Sequence, residues 1–598
     1  MSRFSLLVIP SITGPTTFRK TIQSILSLNL LRNVRNSTTP YASASRNLVG
    51  MIDIAEKKHS DHIKANRKVG VRVFSVFAME DPRLKDFFGF LDSLKNYEKE
   101  GVPKGAGTDT DEGFDLRRME RLVQLLGNPL SRYPVVHIAG TKGKGSTSAF
   151  IGSILREGGY SVGLYTSPHL KTIRERIVSG RKAEIISVEN LQNLFQDVQD
   201  ILNKALQTEH LSLTHFEVMT ALAFKYFAQQ GVDIAVVEAG LGGARDATNV
   251  IHSKGLSMSV ITTIGMEHMD ALGGSLESIA ISKSGIIKEG CPVILGGPFE
   301  PRIEYILRKT AASMNAPVTS AFGPGINSTI TKLDSTSDQP CQYADILVKL
   351  DENDPQTTIE LFGVRLRMIG YHQLQNAVTA VCIALCLRSQ GWRISSDSIR
   401  AGLENTNLYG RCQFLTPKQV EMLGISGATV VLDGAHTEAS AKALATTIRM
   451  LYPDKLLAFV IAMANDKDHS SFADHLISGA RPNVAIFTEV SVAGGNIRTT
   501  PASSLLSTWM HIAQGHNFLV TEMAEKQIYN LPDDFSDPNS QRTFPDKPCL
   551  LVAKEPDFVE AVKRAGNLLK LLNNECSGII CVTGSLHLVS TVISHLHD

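Results

Sequence analysis

The sequence predicts an α/β protein built on parallel sheets with helices on both faces. Three observations predict it. Short apolar runs alternate with helical stretches along most of the chain. The runs are apolar throughout, which is the pattern of strands buried on both faces. Glycine-rich and acid-bearing motifs follow several runs directly, where ligands of such sheets bind. The composition agrees, with 43% apolar and 20% charged residues, as in globular proteins. A chain of 598 residues calls for more than one domain. Lys and Arg number 60 against 59 Asp and Glu, a net charge of +1. That balance removes the main electrostatic argument for nucleic-acid binding. No uncharged apolar run of about 18 residues is present, so no membrane span is expected. Eight Cys without a CxxC pair disfavour a disulfide scaffold or zinc ribbon.

Residues 1–52 contain no Asp or Glu and carry Arg3, Arg19, Lys20, Arg32, Arg35 and Arg46 among many hydroxyls. This reads as an organelle transit peptide, mitochondrial in preference to plastid, with a disordered basic tail as the alternative. Residues 53–78 read as a linker. Asp81–Glu98 is expected to be helical, and Gly101–Gly113 a loop. Strands are expected at Pro134–Ile138, Val162–Tyr165, Ile234–Glu238, Met258–Ile264 and Pro292–Leu295. Later strands are expected at Thr429–Leu432, Leu457–Ile461, Val484–Thr488 and Ile579–Val582. Ser328–Glu352 is polar and weakly patterned and reads as an insertion. A joint near Asn405–Phe414 divides residues 79–410 from residues 411–598.

The sharpest motif is His137-Ile-Ala-Gly-Thr-Lys-Gly-Lys-Gly-Ser-Thr147, between a strand and a helical run. Gly140, Gly143 and Gly145 let the backbone wrap an anion, Lys144 reaches outer phosphates, and the helix N-terminus adds a favourable field. The bland alternative is a glycine-rich turn, since the spacing departs from GxxxxGK[ST]. In Tyr165-Thr-Ser-Pro-His-Leu170, Ser167 offers a hard oxygen to Mg²⁺, although Thr-Ser-Pro alone is more often a turn. Glu238 ends an apolar strand before Gly-Leu-Gly-Gly-Ala-Arg245-Asp246-Ala247; a buried acid there needs metal or a salt bridge. His268 follows another strand, where it either ligates metal or is structural. Lys283, Asn376, Arg411, Asp433 and His436 lie in further segments of the same kind, and Arg411 near phosphate would supply a fixed cation.

Together these segments resemble the folylpolyglutamate synthase/dihydrofolate synthase family of the Mur ligase superfamily, from about residue 80 onward. The resemblance implies a P-loop Mur-ligase-type central ATPase domain and a C-terminal Rossmann-like α/β domain. It implies that Gly140, Thr141, Lys142, Gly143, Lys144, Gly145 and Ser146 hold ATP with Asn376, Arg411 and Asp433. It further implies Mg²⁺ at Ser167, Glu238 and His268, with K⁺ as an additional ion. Lys283 would be carbamylated, and Lys144, Lys283 and His436 would serve the chemistry. Four departures from the family wording stand out. Lys142 stands for the usual Asn, Glu267 for the common Asp before His268, Thr437 for Asn, and Leu408-Tyr409 for Trp-Pro. The segment Thr214-His215-Phe216-Glu217 is similar to members that use dihydropteroate. With Arg245, Asp246 and Ala247 it is the expected acceptor site. Glu217 is alternatively an acid favoured by its helix N-terminus. The implied reaction joins L-glutamate to dihydropteroate with ATP, with polyglutamylation as the alternative. The expected protein is a monomer that acts on small molecules, without nucleic acid or membrane partners.

Overall fold

The computed structural model describes residues 81–596, apart from residues 111–112, 209–212, 338, 352–353, 491–497, 524–546 and 573–577. The expected leader and linker, residues 1–78, lie outside the described residues.

The first sheet has eight strands: β1 (Val135–Ala139), β2 (Val162–Tyr165), β3 (Ile177–Ser179), β4 (Glu184–Ile185), β5 (Ile234–Glu238), β6 (Leu256–Ile261), β7 (Val293–Leu295) and β8 (Val318–Ser320). Their order is β4-β3-β2-β5-β1-β6-β7-β8. All pairings are parallel except those of β3, which is antiparallel to both β2 and β4. β1 and β5 are buried at every residue, which is why their sequences are apolar without alternation. The strand expected to reach Ile264 stops at Ile261, and Thr262 and Thr263 turn their hydroxyls to the glycine loop instead. Helix α1 (Lys144–Glu157) buries Phe150, Ile151, Ile154 and Leu155 completely. Each such side chain contributes about 1.5–3 kcal/mol by leaving water.

Two expectations need correction. The helix expected over Asp81–Glu98 divides into Lys85–Asp92 and Tyr97–Glu100. Asn96 is the cause, because its side chain accepts the Glu98 N–H at 3.0 Å and starts a new helix. Lys95, in the break, bridges to Thr214. The weakly patterned insertion is an antiparallel three-stranded sheet of β9 (Ile326–Asp334), β10 (Cys341–Lys349) and β11 (Thr358–Leu366). Its strands alternate between sheltered and wet faces, so their apolar content is halved.

The second sheet contains β12 (Gln413–Phe414), β13 (Thr429–Leu432), β14 (Leu456–Ile461), β15 (Val484–Phe487), β16 (Leu519–Glu522), β17 (Cys549–Lys554) and β18 (Gly578–Thr583). The order is β12-β13-β18-β14-β15-β17-β16, parallel except at β12. Apolar clusters cover both faces of this sheet. No described helix is long and apolar enough to cross a membrane.

Candidate active site

The strands β1, β2, β5 and β6 all deliver a polar segment at their carboxyl ends. After β1 the chain turns through Gly140 and Gly143 into α1. Gly143 has φ +84°, and an added Cβ would lie 2.3 Å from Asn376 Oδ1. Asn376 belongs to helix α4 (Tyr371–Ser389), and its Nδ2 donates to Gln373 Oε1 at 3.0 Å. The glycine therefore admits the amide of a distant helix against the loop.

The loop is laced to the turn after β6. Thr141 N–H donates to Thr263 O at 2.8 Å, and Lys142 N–H to Thr263 Oγ1 at 2.9 Å. Thr262 Oγ1 donates back to Lys142 O at 2.6 Å. The Lys142 ammonium donates to Glu267 at 2.8 Å. Thr141 and Lys142 thus have their N–H groups engaged within the protein. The N–H groups at the start of α1 have no intrahelical partner by geometry and remain the anion-facing set.

Lys144, Ser167 and Glu238 meet in front of α1. Lys144 Nζ is 3.9 Å from Glu238 Oε1, and Ser167 N–H donates to Glu238 Oε2 at 3.2 Å. Burial pushes the Glu238 carboxyl above its ordinary range, with Lys144 acting against it. A carboxylate only 4% exposed, with one long hydrogen bond and a cation 3.9 Å away, has acceptor capacity left. With the Ser167 hydroxyl it offers the hard oxygens that Mg²⁺ takes, so the residues fit that ion. His268 is exposed, with φ 52°, in the turn after β6. Among the described residues no three His, Cys, Asp or Glu side chains cluster to hold a metal by themselves.

Helix α2 (His215–Gln230) and helix α3 (Leu276–Ser284) bring the next groups, both ahead of α4 in the chain. Lys283 on α3 is buried, and its Nζ donates to Gly140 O at 2.9 Å. Burial, and then the nearby Lys144 charge, lower its pKa to about 7. Phe216 at the start of α2 lies under the glycine turn after β5, where a Cβ on Gly240 would sit 2.5 Å from its ring. Thr214 and Glu217 form a reciprocal cap: Thr214 N–H donates to Glu217 Oε2 at 2.7 Å, and Glu217 N–H to Thr214 Oγ1 at 3.2 Å. Arg118 donates to the other oxygen, Oε1, through Nε at 3.2 Å and Nη2 at 3.0 Å. Glu217 is a helix cap and an ion-pair partner of Arg118. His215 is buried, and burial, then Arg176, lower its pKa to about 4.

Asp246 is buried and accepts from two backbone N–H groups and from the Thr248 hydroxyl. Leu241 N–H donates to Oδ2 at 2.8 Å, and Thr248 N–H to Oδ1 at 3.0 Å. Its carboxylate holds the turn that carries Arg245 and Ala247. Arg245 Nε donates to Asp109 at 2.9 Å, beside a cavity of about 450 Å³ lined also by Thr110, Asp115, Arg117 and Glu120.

From the second sheet, Asp433 accepts Cys412 N–H at 2.7 Å and Ala435 N–H at 2.9 Å, fixing the turn after Arg411. Burial raises the Asp433 pKa, opposed by Arg411. The Arg411 field also reaches Glu238 and Lys142 in the first sheet's loops. His436 Nδ1 is 2.8 Å from Gly434 O, and its Nε2 is 3.9 Å from Glu267 Oε1.

Sequence reasoning missed Arg118, Glu98 and Arg176. Arg176 is fully buried and pairs with Glu98 through two bonds of 2.8 and 2.6 Å, while its Nε contacts His169 Nδ1 at 3.0 Å. No local pattern marks these residues; only their burial in the folded chain does.

Two family models match the chain. Residues 138–384 match the Mur ligase middle domain, and residues 419–595 match the dihydrofolate synthetase C-terminal domain. A dihydrofolate synthase/folylpolyglutamate synthase of Bacillus subtilis is 34% identical over 364 residues, covering 60% of this chain and 78% of that protein. A dihydrofolate synthetase of Saccharomyces cerevisiae is 29% identical over 355 residues, covering 59% and 76%. The crystal structure of Mycobacterium tuberculosis folylpolyglutamate synthase with ADP and AMPPCP superposes with a TM-score of 0.65. It is 23% identical and covers 86% of this chain and 98% of its own, so it shows a shared fold.

Proposed function

Because the chain belongs to the folylpolyglutamate synthase/dihydrofolate synthase family of Mur ligases, we propose that it joins L-glutamate to 7,8-dihydropteroate at the expense of ATP. It is a folate-glutamate ligase, and the acceptor is the finer part of the reading. The observation that carries the acceptor is the match of residues 419–595 to the dihydrofolate synthetase C-terminal domain, shared with a yeast relative of that name. The relative from Bacillus subtilis carries both activities in its name, and polyglutamylation of tetrahydrofolate is the second reading.

Amide formation at neutral pH needs an activated acyl group. The N–H groups at the start of α1, with Lys144, hold the ATP phosphates. The γ-phosphoryl passes to the dihydropteroate carboxylate, giving ADP and an acyl phosphate. The glutamate amine attacks that carbonyl, and phosphate leaves. Lys144 and Arg411 stabilise the phosphoryl charge as it develops. Asn376 packs against the phosphate loop, and Asp433 holds the Arg411 turn. Ser167, Glu238 and His268 would hold Mg²⁺, which neutralises phosphate charge when bound. Lys283, with its pKa lowered to about 7, is neutral enough near that pH to take up CO₂ as a carbamate. His436 would then act on the phosphate side. The acid-free, Arg-bearing residues 1–52 support import into the mitochondrial matrix, with the plastid as alternative. A fluorescent fusion of the full chain tests this, and cytosolic residence counts against it.

Product analysis decides the acceptor. Purified protein is given ATP, glutamate and either dihydropteroate or tetrahydrofolate monoglutamate. Turnover with dihydropteroate alone supports the reading, and turnover only with the folate replaces it. With ¹⁸O in the acceptor carboxylate, one ¹⁸O should appear in released phosphate. Label in AMP would replace the acyl phosphate with an adenylate.

A further inference from the structure

Two of the four departures from the family wording, Lys142 and Glu267, touch each other in the folded chain. Lys142 is a phosphate-loop residue, yet its ammonium donates to Glu267 Oε1 at 2.8 Å. Its backbone N–H is also engaged, by Thr263. The pair is sheltered, with side chains 34% and 18% exposed.

A third group approaches the same oxygen. His436, from the loop after β13 in the second sheet, has Nε2 3.9 Å from Glu267 Oε1. Its Nδ1 lies 2.8 Å from the Gly434 carbonyl, and a carbonyl only accepts, so Nδ1 carries the hydrogen. With the hydrogen on Nδ1 the neutral ring keeps a lone pair on Nε2, so His436 lies near Glu267 without a hydrogen bond to it. One carboxylate therefore faces the phosphate loop on one side and the second sheet on the other.

We infer that Glu267 is a positioning residue that draws the Lys142 ammonium away from the nucleotide and ties the phosphate loop to the turn after β6. The ammonium then serves the protein, and Lys144 is left as the lysine that faces phosphate. The inference rests on the reading of the loop as nucleotide-binding, but not on the choice of acceptor. The geometry ties the loop after β1 to the turn after β6 through one ion pair. Removing either partner should misplace the other without removing a phosphate contact.

The test uses full-length Glu267→Gln, Lys142→Met and their double variant. ADP affinity with Mg²⁺ is measured by calorimetry, and kcat and KM are measured with whichever acceptor turns over. Each single variant should lower kcat by about tenfold while ADP affinity stays within about threefold of the starting protein. The double variant should be no worse than the worse single one, because both break the same unit. A drop of tenfold or more in ADP affinity on Lys142→Met, or single losses that multiply, would overturn the inference. If the unaltered protein fails to bind ADP, the ligase reading falls with it; if it binds and the losses multiply, only this inference falls.

Discussion

Gly143→Ala tests how the phosphate loop is built. Gly143 has φ +84°, where an L side chain is strained by about 1–2 kcal/mol. Its new Cβ would lie 2.3 Å from Asn376 Oδ1, so the amide or the loop must move. Moving the amide breaks the 3.0 Å bond from Asn376 Nδ2 to Gln373, and both residues are buried. Leaving buried polar groups unpaired costs about 1–3 kcal/mol. The total is about 2–5 kcal/mol. If the loop yields instead, the N–H groups at the start of α1 turn from the phosphates, and the loss appears as weaker ADP binding. The measured quantity is therefore the sum of losses in unfolding free energy and in ADP binding free energy. Gly159→Ala is the control, because it has φ +88° and open space around the added Cβ. It should lose about 1–2 kcal/mol of stability and no ADP affinity. Denaturant unfolding and calorimetry with ADP and Mg²⁺ supply both terms. Equal summed losses for the two variants would refute the crowding argument.

Lys144→Ala should weaken ADP binding by about 1.5–3 kcal/mol, the value of a charge-assisted contact, with a larger loss in turnover. Near-normal turnover at saturating ATP would refute its placement. Lys283 should carry a CO₂ adduct visible by intact mass in bicarbonate, and turnover of Lys283→Ala should respond to small carboxylic acids rather than amines. As a free amine its pKa falls from 10.5 to about 7 on folding, so the unfolded chain holds the extra proton between those values. Its contribution to stability then rises with pH from about 7 to 10.5 and is lost as pH falls through that window, which chemical unfolding across the range measures. Glu217→Gln should destabilise by about 3–5 kcal/mol, because it leaves Arg118, 13% exposed, without its anion. Unchanged stability with altered acceptor use would return Glu217 to the substrate site. A chain beginning at residue 76 should keep full activity, since an unpatterned basic segment adds little to a packed core; loss of folding would contradict this.

Much of the first sheet and its loops was legible because the signals are local. β1 and β5 are buried on both faces, so their apolar runs stand out, and the glycine turns and acids that follow mark their ends. The same locality explains why the segments of the loop after β1, Glu238 and the turn after β6 could be placed on one edge of one sheet: parallel strands present their carboxyl ends together. The antiparallel sheet of β9, β10 and β11 was illegible. Each strand has a wet face, and its pairing partner lies beyond a turn, so neither composition nor period marks it.

Side-chain assignments divided in the same way. The resemblance implied roles toward nucleotide or acceptor for Lys142, Glu217 and Asp246, and the sequence shows no partner for these charges. The fold supplied the partners: Glu267 for Lys142, Arg118 for Glu217, and the backbone N–H groups of the turn for Asp246. Backbone preference and burial periodicity are properties of neighbouring residues, and the sequence carries them directly. Ion pairs between residues such as Lys142 and Glu267, 125 positions apart, exist only after packing brings them together, and desolvation then decides which charges must be paired.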